Sequence, residues 1–130
     1  MNTDPIADFL IRLQNAAGAG KVAVDVPFSN FKLAIAKLLE ENNYLKIVPA
    51  KSKTGRKILH LELAKDGSRF KLQGVERLSK VSRRVYEPAS NLRLVKRGHG
   101  LLVVSTSQGL MTGTKARQAG LGGELLFKIW

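Results

Sequence analysis

The sequence predicts an α+β fold made of two small α/β lobes, and three observations carry that reading. The first 64 residues switch between helical and strand periodicity in the order helix, strand, helix, strand, strand. The pattern then changes at Lys65-Asp66-Gly67, a turn-rich stretch. Beyond it the apolar alternation is mainly of the strand kind, with one short helix. Residues 1–64 are therefore expected to form an N-terminal α/β lobe, and residues 65–130 a mainly β C-terminal lobe.

In the first lobe, Asp4 is placed to cap a helix and Pro5 to occupy its first turn. Ile6, Phe9, Leu10 and Leu13 recur on one face of that helix, which Gly18 and Gly20 end. Val22, Val24 and Val26 alternate with polar or small residues as a half-buried strand does, and Pro27 closes it. Ser29 can cap a second helix, with Phe31, Ala34, Ile35, Leu38 and Leu39 as its apolar stripe. Tyr44 to Val48 and Ile58 to Leu63 read as a hairpin with the basic loop Lys51 to Arg56.

In the second lobe, Leu101 to Val104 has the length and composition of a buried strand. Thr112 or Thr114 opens a short helix that runs through Ala119, and Gly120 ends it. Leu125, Phe127 and Ile129 alternate with Glu124, Leu126, Lys128 and Trp130 as a terminal strand.

Charge supplies the first indication of function. The 130 residues hold 22 Lys and Arg against 10 Asp and Glu, a formal net charge of +12. A small domain stays soluble with far less, and such self-repulsion implies a polyanionic partner. Nucleic acid is the first candidate and an anionic membrane surface the second. From Lys65 to Arg97 there are ten cations against three acids, whereas residues 1–64 carry nine against six. The excess is concentrated, which points to a basic face rather than a uniform coat.

Other classes fit poorly. Cysteine is absent, which removes disulfides and thiolate metal sites. The N-terminus has no basic region followed by an apolar stretch, and no apolar run is long enough to span a bilayer. The expectation is a soluble intracellular protein. Gly18-Ala19-Gly20-Lys21 resembles the end of a phosphate-binding loop, but Asn15 and Val22 stand where glycine and a hydroxyl are needed. Gly120, Gly122 and Gly123 follow a helix rather than opening one, and Leu125 replaces the third glycine of a dinucleotide site. Ser105 and Ser107 lack the glycines of a nucleophile elbow. His60 reads as part of a solvated strand face, His99 as part of a turn between two glycines. No catalytic residue, no metal site, no cofactor and no small-molecule substrate is expected.

One segment stands out. Leu101 to Val104 runs straight into Ser105-Thr106-Ser107-Gln108-Gly109. Three consecutive hydroxyls on short, stiff side chains suit ribose hydroxyls, phosphate oxygens and base edges. Gly109 permits close backbone approach or a positive φ. A turn whose hydroxyls satisfy their own backbone fits the same residues, and chemistry alone leaves the two readings level.

That segment, continued through Thr112, Lys115-Ala116-Arg117 and Ala119-Gly120-Leu121-Gly122-Gly123-Glu124, resembles the C-terminal signature of the ribosomal protein S-eight family. Thr3-Asp4-Pro5-Ile6-Ala7-Asp8, with Arg12 and Asn15, resembles that family's opening helix. The order of elements between them agrees, so the resemblance covers essentially the whole chain. It implies two α/β lobes and a structural component of the small ribosomal subunit. Such a component binds the central domain of 16S-type ribosomal RNA early in assembly, beside neighbouring small-subunit proteins, in the cytoplasm or an organelle. By the same resemblance, Ser105, Thr106, Ser107 and Gly109 form the loop that reads an irregular RNA helix. Tyr86 and Glu124 lie near that surface, Lys115 and Arg117 stand within the signature, and Thr3, Asp4 and Asn15 form an N-terminal RNA-facing edge. Arg84 joins the RNA-binding set from the basic stretch. Cations would supply affinity, while hydroxyls and an aromatic face supply selectivity.

The chain departs from the family pattern twice. Val81-Ser82 stands where a Pro-Gly pair is common, which bears on the aim of Arg84. Gly113 replaces an acidic residue after the helix cap, at an expected cost of up to ~1 kcal/mol in helix stability. The rival reading, a basic DNA-binding or architectural protein, would need a basic recognition helix. The last helix offers only Lys115 and Arg117. A hydrolase built from Ser105 or Ser107 with His99 is the remaining rival.

Overall fold

A computed structural model describes residues 5–48, 58–93 and 100–130 of the chain. The chain divides into two compact units, Met1–Gln73 and Gly74–Trp130. Both combine helices with antiparallel sheet, the α+β architecture expected.

The first unit holds helix α1 (Pro5–Gly18), strand β1 (Ala23–Pro27), helix α2 (Asn30–Glu41) and strands β2 (Leu45–Val48) and β3 (Ile58–Leu63). The sheet order is β1-β3-β2, all antiparallel. Ile6, Phe9, Leu10 and Leu13 are buried on α1, as their spacing predicts. Each such side chain contributes about 1.5–3 kcal/mol through burial. Gly20, at φ +73°, takes the left-handed turn that ends α1. Ser29 caps α2, its hydroxyl accepting from the Lys32 amide at 3.1 Å. The buried stripe of α2 differs from the expected one. Lys32, Ile35, Ala36, Leu38 and Leu39 are buried, while Phe31 and Ala34 face out. Lys32 lays its aliphatic stem over the core and carries its ammonium to 3.9 Å from Asp8, so a charged residue occupies a place that hydrophobic periodicity assigns to Phe31.

His60 lies on the outward face of β3, opposite the buried Leu59, Leu61 and Leu63, as expected, but its ring is engaged there. Its neighbour in register is Asp25 on β1, and its Nδ1 lies 2.5 Å from the Asp25 carboxylate. The side chain is only a quarter exposed. A short hairpin, β4 (Lys65–Asp66) and β5 (Arg69–Phe70), follows β3. It stays with the first unit through the Lys71 amide, which donates to the Ala64 carbonyl, and the Lys71 ammonium, which donates to the Asn42 carbonyl at 2.7 Å. The change of pattern at Lys65 marks this hairpin, and the division between units falls after Gln73. The Asp4 cap and the Lys51 to Arg56 loop lie outside the described residues.

The second unit holds strands β6 (Val75–Arg77), β7 (Tyr86–Glu87), β8 (Leu101–Thr106) and β9 (Gly109–Thr112), helix α3 (Gly113–Gln118) and strand β10 (Gly123–Ile129). The sheet order is β6-β10-β8-β9, with β7 also paired to β10. Helix α3 is capped by Thr112, whose hydroxyl accepts from the Lys115 amide. Its Ala116 packs on Leu102, Val104 and Leu92.

One local feature corrects the sequence reading and a second adds to it. Leu125 pairs with Val104 but Phe127 pairs with Val103, so Leu126 is an extra residue in β10. Directly opposed residues share a face and successive residues alternate, so Leu125 and Phe127 lie on opposite faces rather than one. The simple alternation fails there because of this bulge. The second feature is Gly113, which is buried; a Cβ on it would come within 2.9 Å of the Leu102 side chain. Helix α3 thus packs closely on β8 at this point, and any side chain there would require the end of Leu102 to shift.

Candidate nucleic-acid interface

The strand register brings residues far apart in sequence into one row. On β10, Glu124 is opposite Tyr86 of β7 on one side and Ser105 of β8 on the other. Ser105 is in turn opposite Leu110 of β9. Opposed residues share a face, so Tyr86, Glu124, Ser105 and Leu110 cross four neighbouring strands on one side of the sheet. Tyr86 is two-thirds exposed, an unusual setting for an aromatic ring. The Arg84 guanidinium lies 3.2 Å from the Glu124 carboxylate. The Arg84 side chain is about half exposed and that of Glu124 only 16%, so the pair holds a largely covered carboxylate beside an accessible cation in the middle of the row.

Close packing makes the row possible. A Cβ on Gly123 would collide with the Ser105 carbonyl oxygen, and one on Gly122 would come within 2.5 Å of the Glu87 carbonyl oxygen. Glycine at both positions lets the start of β10 fit between β7 and β8. The sequence displays these glycines, but their role appears only once the strand neighbours are known.

At the end of β8 the chain turns tightly into β9, with Thr106 opposite Gly109. Gly109 has φ +110°, a conformation that L side chains rarely adopt. The Thr106 hydroxyl donates to the Gly109 carbonyl at 2.8 Å and accepts from the Gln108 amide at 3.1 Å. The two readings of the hydroxyl loop thus divide by residue. Thr106 satisfies its own turn, so its hydroxyl is already engaged. Ser105 and Ser107 have no side-chain hydrogen bond among the described residues, and Ser107 is exposed at the tip.

Lys115 and Arg117 stand apart from this row. Helix α3 covers the sheet face that carries Leu102 and Val104, whereas Ser105 points to the other face. Both cations are exposed, and the Arg117 guanidinium donates to the Leu92 carbonyl at 3.5 Å. Asn15 is exposed on α1 in the first unit. Thr3, Asp4 and His99 lie outside the described residues. Among the described residues there is no cluster of His, Asp and Glu able to hold a metal ion, and no helix long and apolar enough to cross a membrane.

The family model described as Ribosomal protein S8 matches residues 4–130. The chain belongs to the ribosomal protein S8 family. Among its curated S8 relatives is the small ribosomal subunit protein uS8 of Thiobacillus denitrificans, 42% identical over 95% of each chain. The protein of the same description from Halothermothrix orenii is 40% identical over 98% of each. That from Mycoplasma capricolum is 42% identical over the full length of both. Membership in the S8 family makes this chain a ribosomal protein of the small subunit.

Proposed function

We propose that the chain is a structural constituent of the small ribosomal subunit that binds the central domain of 16S-type ribosomal RNA directly and promotes its assembly. The observation that carries this reading is the row Tyr86–Glu124–Ser105, with Arg84 beside it and the free Ser107 hydroxyl at the adjoining turn. A row of this kind offers one stacking surface, one carboxylate acceptor and two hydroxyls on one side of the sheet and at its adjoining turn. Such groups suit an irregular RNA site whose bases are unstacked, rather than the regular A-form groove. The +12 net charge supplies affinity and orientation through phosphates. Family relatives named as small ribosomal subunit proteins support the same assignment.

In this reading Ser105, Ser107, Tyr86 and Glu124 provide selectivity, and Arg84 holds Glu124 while meeting phosphate. Gly109 fixes the turn that presents Ser107. Lys115, Arg117 and the N-terminal residues Thr3, Asp4 and Asn15 add contacts outside the row. The protein acts in the cytoplasm within the ribosome, beside neighbouring small-subunit proteins, and has no catalytic role. The test is competition at about 0.15 M salt between a central-domain RNA fragment and a random duplex of equal length. Preference for the fragment is expected, with protection of a discrete set of its nucleotides in footprinting. Equal affinity for both would falsify selective reading and leave charge as the whole mechanism.

A further inference from the structure

Ser79 is fully buried and lies outside the set of residues assigned to RNA. Its hydroxyl accepts a hydrogen bond from the Val85 amide at 2.9 Å and lies 3.4 Å from the Val85 carbonyl. The Ser79 amide donates to the Leu125 carbonyl at 3.1 Å, and the Leu125 amide donates to the Val85 carbonyl at 2.8 Å. A single residue of β10 therefore serves both Ser79, just after β6, and Val85, just before β7. The chain between them leaves the sheet and closes on itself through reciprocal bonds between Lys80 and Arg83. This excursion carries Lys80, Arg83 and Arg84, and it returns to the sheet one residue before Tyr86.

We propose that Ser79 is the positioning residue of the RNA-reading row, acting as a buried clasp that fixes where the basic excursion re-enters the sheet. The proposal rests on the RNA-binding reading given above. The Val85 amide finds its acceptor in the Ser79 side chain rather than in a strand. A serine suits this role because its short side chain has little rotamer freedom to lose and can both donate and accept. With the clasp closed, Arg84 reaches Glu124 and Tyr86 takes its place opposite it. With the clasp open, Val85 keeps only its carbonyl bond to the Leu125 amide, so the excursion and Tyr86 are less firmly placed, although no RNA-facing group has been removed.

The full chain carrying Ser79→Ala is the test, at a temperature where circular dichroism shows it folded. Affinity for the central-domain fragment is expected to fall about five- to tenfold, the scale of one lost buried hydrogen bond. Exchange of the Val85 amide should accelerate while the β8 core amides keep their protection. In a Tyr86→Ala, Arg84→Ala background the same substitution should have no further effect on affinity, because nothing remains to be positioned. A purely structural role predicts an equal loss in both backgrounds, and that result overturns the proposal. So does binding within about twofold of wild type in a protein that still prefers cognate RNA. If wild type shows no such preference, the functional reading fails first and takes this role with it. Should Ser79→Ala fail to fold, Ser79→Cys enters the same cycle. Wild-type affinity in a folded Cys variant whose Val85 amide exchange is accelerated overturns the clasp, and a loss confined to the background with Tyr86 and Arg84 intact supports it.

Discussion

The three hydroxyls after β8 look equivalent in sequence and are not equivalent in place. Thr106 is bonded at both its donor and its acceptor within the turn, while Ser107 projects from the tip. Ser107→Ala is therefore expected to weaken cognate RNA binding about three- to thirty-fold, since an RNA group is left without its partner. Its melting temperature and the salt slope of binding should hardly change. Thr106→Ala should do the reverse, lowering stability by roughly 0.5–1.5 kcal/mol in urea denaturation, with an effect on RNA that follows from the loosened turn. Unchanged binding by a folded Ser107→Ala protein would remove that residue from the RNA-binding set. Arg84→Ala has a double consequence, because it removes a cation and also leaves the Glu124 carboxylate without its ion-pair partner. The salt slope should fall by about one and all RNAs should bind more weakly, cognate included. A titration of affinity against salt for both variants separates the two kinds of loss.

Individual elements were legible wherever one face is apolar and a cap is local. The α1 face Ile6, Phe9, Leu10 and Leu13, the Ser29 cap and the Thr112 cap can all be read from a few neighbouring residues. Reading failed where a distant partner decides the outcome. Lys32 is buried because Asp8, on another helix, receives its ammonium. Leu126 is an extra residue only in relation to β8. The residue just before β2 is an example that bears on pH. Tyr44 is buried, and burial raises its phenol pKa above the ordinary 10.0 because the anion is poorly solvated there. The folded state thus holds this proton more tightly than the unfolded chain. The resulting stability is complete below pH 10.0 and is lost as pH rises through the folded value. Tyr44→Phe keeps the ring under the Lys71 ammonium and removes the titrating group. Its urea midpoint should decline less than that of wild type between about pH 8 and about pH 11. Parallel declines in the two proteins would show that Tyr44 does not contribute.

At the scale of the molecule, charge and chemistry are distributed unevenly. Residues 74–130 carry ten cations against three acids, and they also contain the whole Tyr86–Glu124–Ser105 row. Family signature and charge both pointed to this half of the chain. The resemblance named its members, but their opposition in one row was not legible, because register across β7, β10 and β8 joins residues that no local pattern links. Ser79 carried no signal at all, being one serine among several until its burial is known. The dense cations predict that the logarithm of cognate affinity falls linearly with the logarithm of salt concentration, while preference over random duplex persists. The same architecture also sets which positions can vary. Gly122 and Gly123 bear no functional group, yet neighbouring main chain occupies the space a methyl would need. In a library covering every substitution, Ser107 should show a graded scale of fitness, with variants ranked by the hydrogen bonds they retain. Gly123 should show a cliff, with glycine alone surviving. The strictest demand at this surface would then fall on a residue whose contribution is its emptiness.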